Sequence, residues 1–313
     1  MFKRYCGILL LFLLLVCIEA RGQYDASFAH YWAMETSFNP AAVGKQPKIN
    51  VTAAYAIGMA GFKHNPQTMY AAADMPFYFL KSYHGVGVQF MNDQLGLFKH
   101  QKLALQYSPK FRLFGGTMAV GLQAGMLSES FDGSGLDLED SNDPAFSSSE
   151  ITGTALDLSA GLYYTHGDWY AGLSAQHLTA PLVSLGETNE LQIDRTYYLT
   201  GGYNIKLRNP FLSVKPSFLV RTDMNVYRAD ITGRLVYTNE EKLMYGGVTY
   251  SPSTSVTFMV GGSFHGFILG YSYEVYTSAI SMANGSHELF VGYQHDINLL
   301  KKGKNKHKSV RIL

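Results

Sequence analysis

The last part of the chain contains two long stretches in which bulky apolar residues alternate with small or charged ones. They lie within 266–298, on either side of a polar connector, and their apolar positions are Phe267, Leu269, Tyr271, Tyr273, Val275, Leu289, Val291 and Tyr293. Strand side chains point to opposite faces with a period of two, so each stretch predicts a strand with one apolar and one polar face. In a membrane barrel the apolar face contacts lipid and the other lines the lumen. A closing hairpin of this kind must pair with the first strand, so that no sheet edge is left open in lipid.

Residues 1–22 have the three parts of a cleaved secretory signal. A basic start is followed by an apolar core and then by small residues, so we predict cleavage after Ala20 or Gly22. A membrane anchor is the weaker interpretation, because about 20 apolar residues are needed to span a bilayer and only about 11 are present. A lipoprotein signal at Cys17 is a further alternative, but Val16 precedes it where a small residue is required.

Cysteine usage and composition restrict the class of the mature chain. Cys6 and Cys17 are the only cysteines, so the mature chain has neither a disulfide nor a thiolate for catalysis or metal binding. No later stretch has about 18 consecutive apolar residues, which argues against helical membrane spans. The 22 Tyr, 19 Phe and 31 Gly, with only 16% charged residues, favour strands with aromatic girdles at the membrane interfaces. A soluble all-β sandwich can share this composition, so strand length and loop arrangement are needed to distinguish it from a membrane barrel.

The chain after the signal divides into fourteen candidate strands. They are longer than the roughly 5–6 residues usual in globular proteins and match the roughly 9–11 that cross a bilayer at a tilt. We therefore predict an all-β fold, a transmembrane antiparallel up-and-down β-barrel over residues 49–298. The predicted strands are 49–60, 66–77, 82–91, 101–112, 116–127, 154–165, 167–176, 195–207, 211–222, 227–237, 242–251, 253–263, 265–274 and 286–298.

The connectors between these strands are sorted by length. The longest connectors all follow odd-numbered strands, whereas those after even-numbered strands are short. The longest are 92–100, 128–153, 177–194 and 275–285. Long loops at one end and tight turns at the other are typical of outer-membrane barrels, and a sandwich has no reason to sort its loops in this way. With an even strand number and a secretory signal, we predict a location in the outer membrane with both termini in the periplasm.

Two segments lie outside the predicted barrel. Residues 23–48 are irregular and rich in Asn, Pro and aromatics, and we expect them either in the lumen, which we favour, or as a periplasmic lead-in. Residues 299–313 form a basic tail, which is either a solvated, disordered end or a periplasmic contact for an acidic partner or cell-wall polymer. The residues that would make this contact are Lys301, Lys302, Lys304, Lys306, Lys308 and Arg311.

Motifs for enzyme chemistry are missing from the sequence. It contains no Walker loop, HExxH or GxSxG. The acidic loop 128–153 could bind Ca²⁺, but it lacks the ligand spacing of an EF-hand, and a solvated surface loop is the simpler interpretation. His287 and Glu288 follow Ser286, but adjacent strand residues face opposite sides and cannot easily form a relay. We predict no enzymatic activity, no cofactor and no metal site.

Short motifs in a constant order along the mature chain resemble a known family. The first is SFAHYWAMETSFNPAAVG (27–44), an aromatic-rich run that ends in a turn with Asn39, Pro40 and Gly44. Further pieces are HGVGVQFMND (84–93), LSAQHL (173–178), KPSFLVRT (215–222), YGGVTYS (245–251) and GYSYEV (270–275). The most specific is GSHE, made of Gly285, Ser286, His287 and Glu288. Together they resemble the PorP/SprF family of outer-membrane proteins of the type IX secretion system. Tyr245 stands where many members have Trp, and we interpret it as a conservative swap at the membrane interface.

The resemblance implies a non-enzymatic component of the secretion machinery. Family members are required for export of proteins with a C-terminal sorting domain and, in gliding relatives, for secretion or display of a surface adhesin. The implied partners are the periplasmic ring proteins PorK and PorN, the peptidoglycan-binding lipoprotein PorE and outer-membrane lipid. Secreted cargo is a further candidate partner, and nucleic acid is not expected. We therefore predict an anchor or adaptor whose periplasmic turns and tail hold the machinery in place.

The alternative function is a transport barrel, either a small-solute porin or a channel for hydrophobic compounds. Fourteen strands enclose enough space for a pore, because barrel width grows with strand number. A charge-selective porin needs a charged constriction, but the predicted inward positions are mainly Gly, Ser and Gln with few charges, and residues 23–48 are available to fill the lumen. These expectations favour the adaptor.

Overall fold

A computed structural model describes residues 25–133, 150–186, 189–240, 242–277 and 284–297. The predicted signal peptide, residues 134–149 of the acidic loop and the basic tail lie outside these residues. No helix in the described part of the chain is long and apolar enough to cross a membrane.

The described residues form two short 3₁₀ helices, Glu35–Ser37 and Pro40–Ala42, followed by a series of strands. The strands are β1 (Lys48–Ile57), β2 (Gln67–Phe79), β3 (Ser82–Leu95), β4 (Phe98–Leu113), β5 (Gly116–Asp132), β6 (Glu150–His166), β7 (Trp169–Gln176), β8 (Leu182–Leu185), β9 (Asn189–Gln192), β10 (Thr196–Tyr203), β11 (Ile205–Lys206), β12 (Leu212–Thr222), β13 (Tyr227–Asn239), β14 (Lys242–Ser251), β15 (Ser255–Phe264), β16 (Phe267–Tyr276) and β17 (Ser286–Asp296).

The main sheet closes on itself. Neighbouring strands from β1 to β7 pair antiparallel, β7 pairs with β10, β10 with β12, and the series continues to β17. β17 then pairs with β1 over the whole length of β1, from Lys48↔Asp296 to Ile57↔His287. The two-residue β11 only extends the sheet beside β12, so the 15-stranded sheet contains a closed barrel of fourteen strands. The predicted antiparallel barrel is confirmed.

Side-chain burial alternates along the strands, with the apolar side chains on the outside. In β4, Lys102, Ala104 and Gln106 are at most 3% exposed, whereas Leu103 and Leu105 are 52% and 67% exposed. The closing strands β16 and β17 alternate in the same way. Polar groups inside and Leu outside reverse the order of a soluble protein, and lipid is the surrounding that such an outer face fits. The alternation therefore places the barrel in a membrane.

The two ends of the barrel differ. One end, here called the turn end, has the tight turns 80–81, 114–115, 167–168 and 265–266, together with the first residue of β1 and the last of β17. The other, the loop end, has the long connectors 58–66, 133–149, 177–195 and 277–285. The predicted asymmetry of connectors is present in these ranges.

One predicted long connector is wrong. Residues 92–100 belong mostly to β3 and β4, which remain paired up to Leu95↔Phe98. Gly96, with φ of +65°, allows a two-residue turn there, since glycine adopts left-handed backbone without steric strain. Polar sequence ends the apolar alternation but does not end backbone pairing, so the hairpin extends beyond the predicted strand ends.

The connector after β7 folds back into the loop end. Its β8–β9 hairpin forms a separate two-stranded sheet. Val183 and Leu185 of the hairpin pack with Ile193 against Leu127, an inward-facing residue of β5. The backbone also approaches β6 closely, because a Cβ added at Gly153 would lie 2.3 Å from the Ser184 carbonyl oxygen. This hairpin covers part of the lumen at the loop end.

Residues 25–47, here called the lumenal segment, run through the inside of the barrel. They begin at Asp25, which contacts residues next to the loop end, and end just before Lys48, the first residue of β1 at the turn end. His30, Met34 and Asn39 within the segment are fully buried. The segment forms the cores of the lumen together with inward-facing wall residues such as Phe290, Tyr198 and Tyr163.

Candidate functional site

The lumenal segment and the wall around it form the candidate functional site. Inward positions along each strand recur every second residue, so successive inward side chains contact the segment at successive depths. The contacts fall into three groups: charged clusters near the loop end, an aromatic and cationic layer in the middle, and a backbone-anchored turn near the turn end.

Glu288 on β17 binds the segment near the loop end. Its carboxylate accepts hydrogen bonds from the backbone N–H of Ala29 at 2.7 Å and of His30 at 3.0 Å. The His30 ring donates a third bond from Nδ1 to Oε1 at 2.6 Å and stacks on Phe290. Glu288 is 4% exposed, so these donors replace water around its charge. We call this contact the His30–Glu288 latch.

A second charged cluster binds the beginning of the segment. His177, directly after β7, lies between two carboxylates, with Nε2 3.1 Å from Asp25 Oδ1 and Nδ1 3.0 Å from Asp157 Oδ1. Tyr198 donates to the other carboxylate oxygen of Asp25 at 2.6 Å. Arg221 donates to the Asp25 carbonyl oxygen at 3.3 Å. Both the side chain and the backbone of Asp25 are therefore fixed.

The protonation states of this cluster follow from its burial and charges. Burial lowers the pKa of the His177 ring, but Asp25 and Asp157 outweigh it and raise that pKa to about 9. Burial raises the pKa of the Asp25 carboxyl, and His177 reverses this effect and leaves the pKa below its usual range. At neutral pH the imidazolium of His177 therefore donates from Nε2 to the ionised Asp25 carboxylate and from Nδ1 to Asp157 Oδ1.

The middle layer is built around Trp32. The guanidinium carbon of Arg234 on β13 lies 3.6 Å from the centre of the indole ring, a cation–π contact. Tyr245 on β14 packs edge-on against the same indole, with ring centres 5.2 Å apart. Tyr245 is 6% exposed and faces the lumen. The interpretation of Tyr245 as a swap at the membrane interface is therefore wrong.

Asn39 and Pro40 fit the segment closely against β5 and β6. Asn39 accepts a hydrogen bond from the N–H of Ala41 at 2.9 Å and donates to the Leu162 carbonyl oxygen at 3.1 Å. Pro40 begins the second 3₁₀ helix, where its missing N–H and fixed φ are tolerated. A Cβ added at Gly121 on β5 would lie 2.0 Å from the Ala41 nitrogen. The wall thus has glycine where the segment approaches it most closely.

Near the turn end the segment is bound through its backbone. Lys110 on β4 donates to the carbonyl oxygen of Val43 at 2.8 Å and also to that of Gly44. Asp74 on β2 accepts a hydrogen bond from the Gly44 N–H at 2.7 Å. Gly44 has φ of +60°, and a Cβ there would lie 2.8 Å from the Gly85 Cα, so only glycine fits.

The lumenal wall is more charged than expected from the sequence. The expectation of few inward charges is wrong, because eight charged side chains of the wall are at most 8% exposed. They are Lys102, Lys110, Glu129, Asp157, Arg221, Asp230, Arg234 and Glu288, and Glu129 is bonded to His100. Each has a hydrogen bond, ion pair or cation–π contact in the lumen, which makes burial of the charge tolerable.

The GSHE motif is divided between the two faces of β17. Glu288 points into the lumen, whereas His287 contacts the Tyr271 hydroxyl at 2.7 Å on the exposed face. The Ser286 hydroxyl contacts that of Tyr276 at 2.5 Å. Gly285 precedes them with φ of +77°. The three polar residues therefore do not form a Ser–His–acid relay.

Other predicted site residues fall in different places. Asn39, Pro40, Gly44 and Glu288 contact or belong to the lumenal segment, as described above. Lys301, Lys302, Lys304, Lys306, Lys308 and Arg311 lie outside the described residues. Within the described ranges no group of three or more His, Cys, Asp or Glu side chains is placed to hold a metal ion.

Sequence reasoning did not single out several residues that bind the segment. Asp25, His30, Trp32, His177 and Arg234 were not proposed as site residues, although three of them lie within quoted family motifs. A usable signal was present for Arg234, because it shares strand parity with the polar Thr232 and therefore faces the lumen. Its partner could not be found in this way, since no strand periodicity applies to the lumenal segment.

The closed sheet, its apolar outer face and the occupied lumen define a membrane β-barrel filled by its own N-terminal segment. Residues 20–293 match the family described as the type IX secretion system membrane protein PorP/SprF, and the chain belongs to this family. No curated protein matches the chain.

Solved channel and transporter barrels are similar to this chain in fold. The monoaromatic hydrocarbon channel CymD has a TM-score of 0.50 at 11% identity, with 90% of this chain and 96% of that chain covered. A Pseudomonas aeruginosa FadL homologue has a TM-score of 0.47 at 11% identity, covering 83% and 93%. The Pseudomonas putida toluene transporter TodX has 0.47 at 8% identity, covering 87% and 95%. The likeness to CymD supports the closed-barrel fold and nothing further.

Proposed function

We propose that the chain is a non-enzymatic outer-membrane component of the type IX secretion system. In this role it anchors or adapts the periplasmic machinery that exports proteins with C-terminal sorting domains. Membership of the PorP/SprF family supports the assignment to this system. The observation that carries the anchor role, as opposed to a conduit, is the occupied lumen.

The lumenal segment is bound too extensively to act as a loosely placed gate. Wall side chains bind it at both ends and in the middle, through Glu288, Arg234 and Lys110. Cavities of about 220 Å³ at the loop end and about 30 Å³ beside it are both bounded by the segment. A solute or polypeptide crossing the barrel would have to displace these contacts together. The lumen therefore favours the anchor over the porin or hydrophobic-solute channel.

In this proposal the turn end and the basic tail face the periplasm. The last strand, β17, ends at this side of the barrel with Asp296. The basic tail then provides positive charge for acidic surfaces of the ring proteins PorK and PorN or the lipoprotein PorE. Binding of secreted cargo is a further part of the proposal that the same arrangement permits.

The test is deletion of the gene, with proteins that have the C-terminal sorting domain assayed side by side in periplasm and medium. We expect these proteins to accumulate in the periplasm while a periplasmic marker enzyme stays inside the cell, which shows an intact envelope. Plasmid-encoded wild-type protein should restore export. Normal export together with slower uptake of a solute would contradict the proposal and favour the transport channel.

A further inference from the structure

Two cationic side chains lie opposite each other on the lumenal wall, in the half of the barrel nearer the turn end. Lys215 on β12 is the direct cross-strand partner of Arg234 on β13. Both face the lumen, because Lys215 lies on the same face of its strand as the buried Ser217, and Arg234 on that of the buried Thr232. The Cβ atoms of directly opposed residues are about 5 Å apart, and like charges in this position are destabilising. The pair therefore lowers stability unless an anion binds both charges.

The described residues provide no such anion. Arg234 is 8% exposed, and its Nε atom is buried without a hydrogen-bond partner among them. Its contact with Trp32 is made through the face of the indole ring and gives its N–H groups no acceptor. Within the same ranges, no carboxylate forms an ion pair with Lys215 or Arg234. A buried guanidinium normally has acceptors for its N–H groups, so the protein itself leaves Arg234 incompletely bound.

A third cation, Lys45 of the lumenal segment, adds to the positive charge in this region. Its ammonium lies 5.1 Å from the centre of the Tyr170 ring and binds the carboxylate of Glu35. Lys45 and Arg234 are both charges that repel the Lys215 ammonium. Three cations and one carboxylate leave a net charge of +2 for these four side chains. Because Lys45 is already paired with Glu35, the unpaired charges are those of Lys215 and Arg234.

The lumen around Lys215 is open toward the turn end. On β12 the inward residues Arg221 and Ser217 are 4% and 5% exposed, whereas Lys215 and Ser213, which lie nearer the turn end, are half-buried. Lys45 and the two residues after it are exposed. An ion from solution can therefore approach Lys215 from the turn end. The buried lumenal segment lies between this region and the loop end, so the region can act as a binding site but not as a passage.

We propose that Lys215 and Arg234 bind a dianionic phosphate group, either inorganic phosphate or a phosphomonoester. A phosphomonoester carries a charge of about −1.5 to −2 at neutral pH, which matches the two unpaired cations. The guanidinium can donate two parallel hydrogen bonds to phosphate oxygens, and the lysine provides a compact charge beside it. A single carboxylate would neutralise only one of the two charges. The proposal does not depend on the secretion role, because it concerns the charges inside the barrel alone.

Isothermal titration calorimetry with inorganic phosphate tests the site in full-length protein purified in a non-ionic detergent at low salt. Lys215→Gln removes one of the two charges and should weaken binding by about tenfold, since one charge-assisted contact is lost. Lys242→Gln removes an exposed charge at the turn end and should change the affinity by less than about twofold. Arg234→Lys keeps the charge but loses the two parallel hydrogen bonds, and should weaken binding several-fold. Gel mobility before and after boiling checks that each variant has folded.

The choice of anion distinguishes the two sources of phosphate. If glycerol 1-phosphate binds as tightly as inorganic phosphate, the site accepts a phosphomonoester, and if only inorganic phosphate binds, it takes the free ion. Either result supports the proposal, and phosphate should then raise the melting temperature of the wild type more than that of K215Q. Equally tight binding of succinate, a dianion without phosphate, would overturn the assignment of the ligand. Equal phosphate affinity in the wild type and K215Q, or no binding to the folded wild type at millimolar phosphate, would overturn the site.

Discussion

The Nδ1 atom of His30 lies 2.6 Å from Oε1 of Glu288, although 258 positions separate the two residues in the chain. This bond joins the beginning of the lumenal segment to the last barrel strand. Both residues lie in motifs by which the sequence resembles its family, one near each end of the chain. The motifs are therefore two halves of one contact inside the barrel.

Replacing Glu288 with Ala should destabilise the barrel by about 3–5 kcal/mol, because it removes the acceptor of three buried hydrogen bonds and leaves their donors unpaired. The midpoint of urea unfolding in lipid vesicles measures the change. His287→Ala, on the exposed face of the same strand, is the matched control and should change stability by less than about 1 kcal/mol. Equal losses in both variants would contradict the role of the latch.

Stability should fall as the pH rises through about 9. The folded pKa of His177 lies above its ordinary value of 6.5, so its contribution is complete below pH 6.5 and is lost as pH rises through about 9. The raised pKa corresponds to about 3 kcal/mol at most. Melting temperature measured from pH 6 to pH 10 should show this decline in the wild type.

The variant His177→Gln should remove that decline, and His287→Gln should retain it. On the acid side, stability should instead fall as the pH falls, because the pKa of Asp25 is lowered in the folded protein. The contribution of Asp25 is therefore complete above its ordinary pKa of 3.8 and is lost as the pH falls below it. An alkaline decline of the same size in His177→Gln would assign it to other groups.

A methyl group at Gly121 should displace the lumenal segment, since the added Cβ would lie 2.0 Å from the Ala41 nitrogen. We expect Gly121→Ala to destabilise the barrel by about 1–3 kcal/mol, as overpacking usually does. Gly246→Ala is the matched control, because a Cβ there meets nothing within 4 Å. Urea unfolding of both variants makes the comparison, and a neutral Gly121→Ala would show that the segment yields easily.

Deleting residues 25–47 while retaining the signal peptide should open the barrel. The wild-type protein should show little conductance in a planar bilayer, because the segment is buried along the lumen. The deletion should show stable channels, with gel mobility before and after boiling as the check that the barrel has folded. High conductance in the wild type would favour the transport function over the anchor.

Removing residues 301–313 should weaken co-purification of the ring proteins, because the tail is densely charged and exposed charges act over a Debye length of about 10 Å at 0.1 M salt. The remaining binding should be less sensitive to salt. A tail with every Lys changed to Arg keeps the charge and should bind normally, whereas Lys→Gln should resemble the deletion. Unchanged recovery after deletion would leave the tail as a solvated end.

The barrel was predictable because alternation over many residues is a strong signal with one physical cause. Fourteen strands were predicted and fourteen form the barrel, but pairing beyond the apolar region, as at Leu95 and Phe98, leaves no trace in hydrophobicity. The lumenal contacts were mostly not predictable. The alternation along a strand shows whether a wall residue faces the lumen or the lipid. Its contact partner, however, lies in the lumenal segment, which has no regular periodicity from which side-chain directions could be predicted.

Tyr245 shows that the alternation along a strand is a better guide to side-chain direction than the residue type alone. Because aromatic residues are common at membrane interfaces, Tyr245 was predicted to face the lipid interface, but it faces the lumen. Thr249 and Ser251 have the same parity as Tyr245 in β14 and are polar, so the sequence already contained the evidence for a lumenal position. Its packing against Trp32 became visible only in the structure.

The path of the lumenal segment gives the barrel a second closure. β1 and β17 are joined by the hydrogen bonds of the sheet. They are also joined through the lumenal segment, which precedes β1 in the chain and is bound to Glu288 of β17. If the ladder parted, the latch would still tether the two strands, and their re-pairing would be an intramolecular event at high effective concentration. Sideways release of a polypeptide into the bilayer at this seam would have to break both connections. The barrel is thus built to remain a closed cylinder.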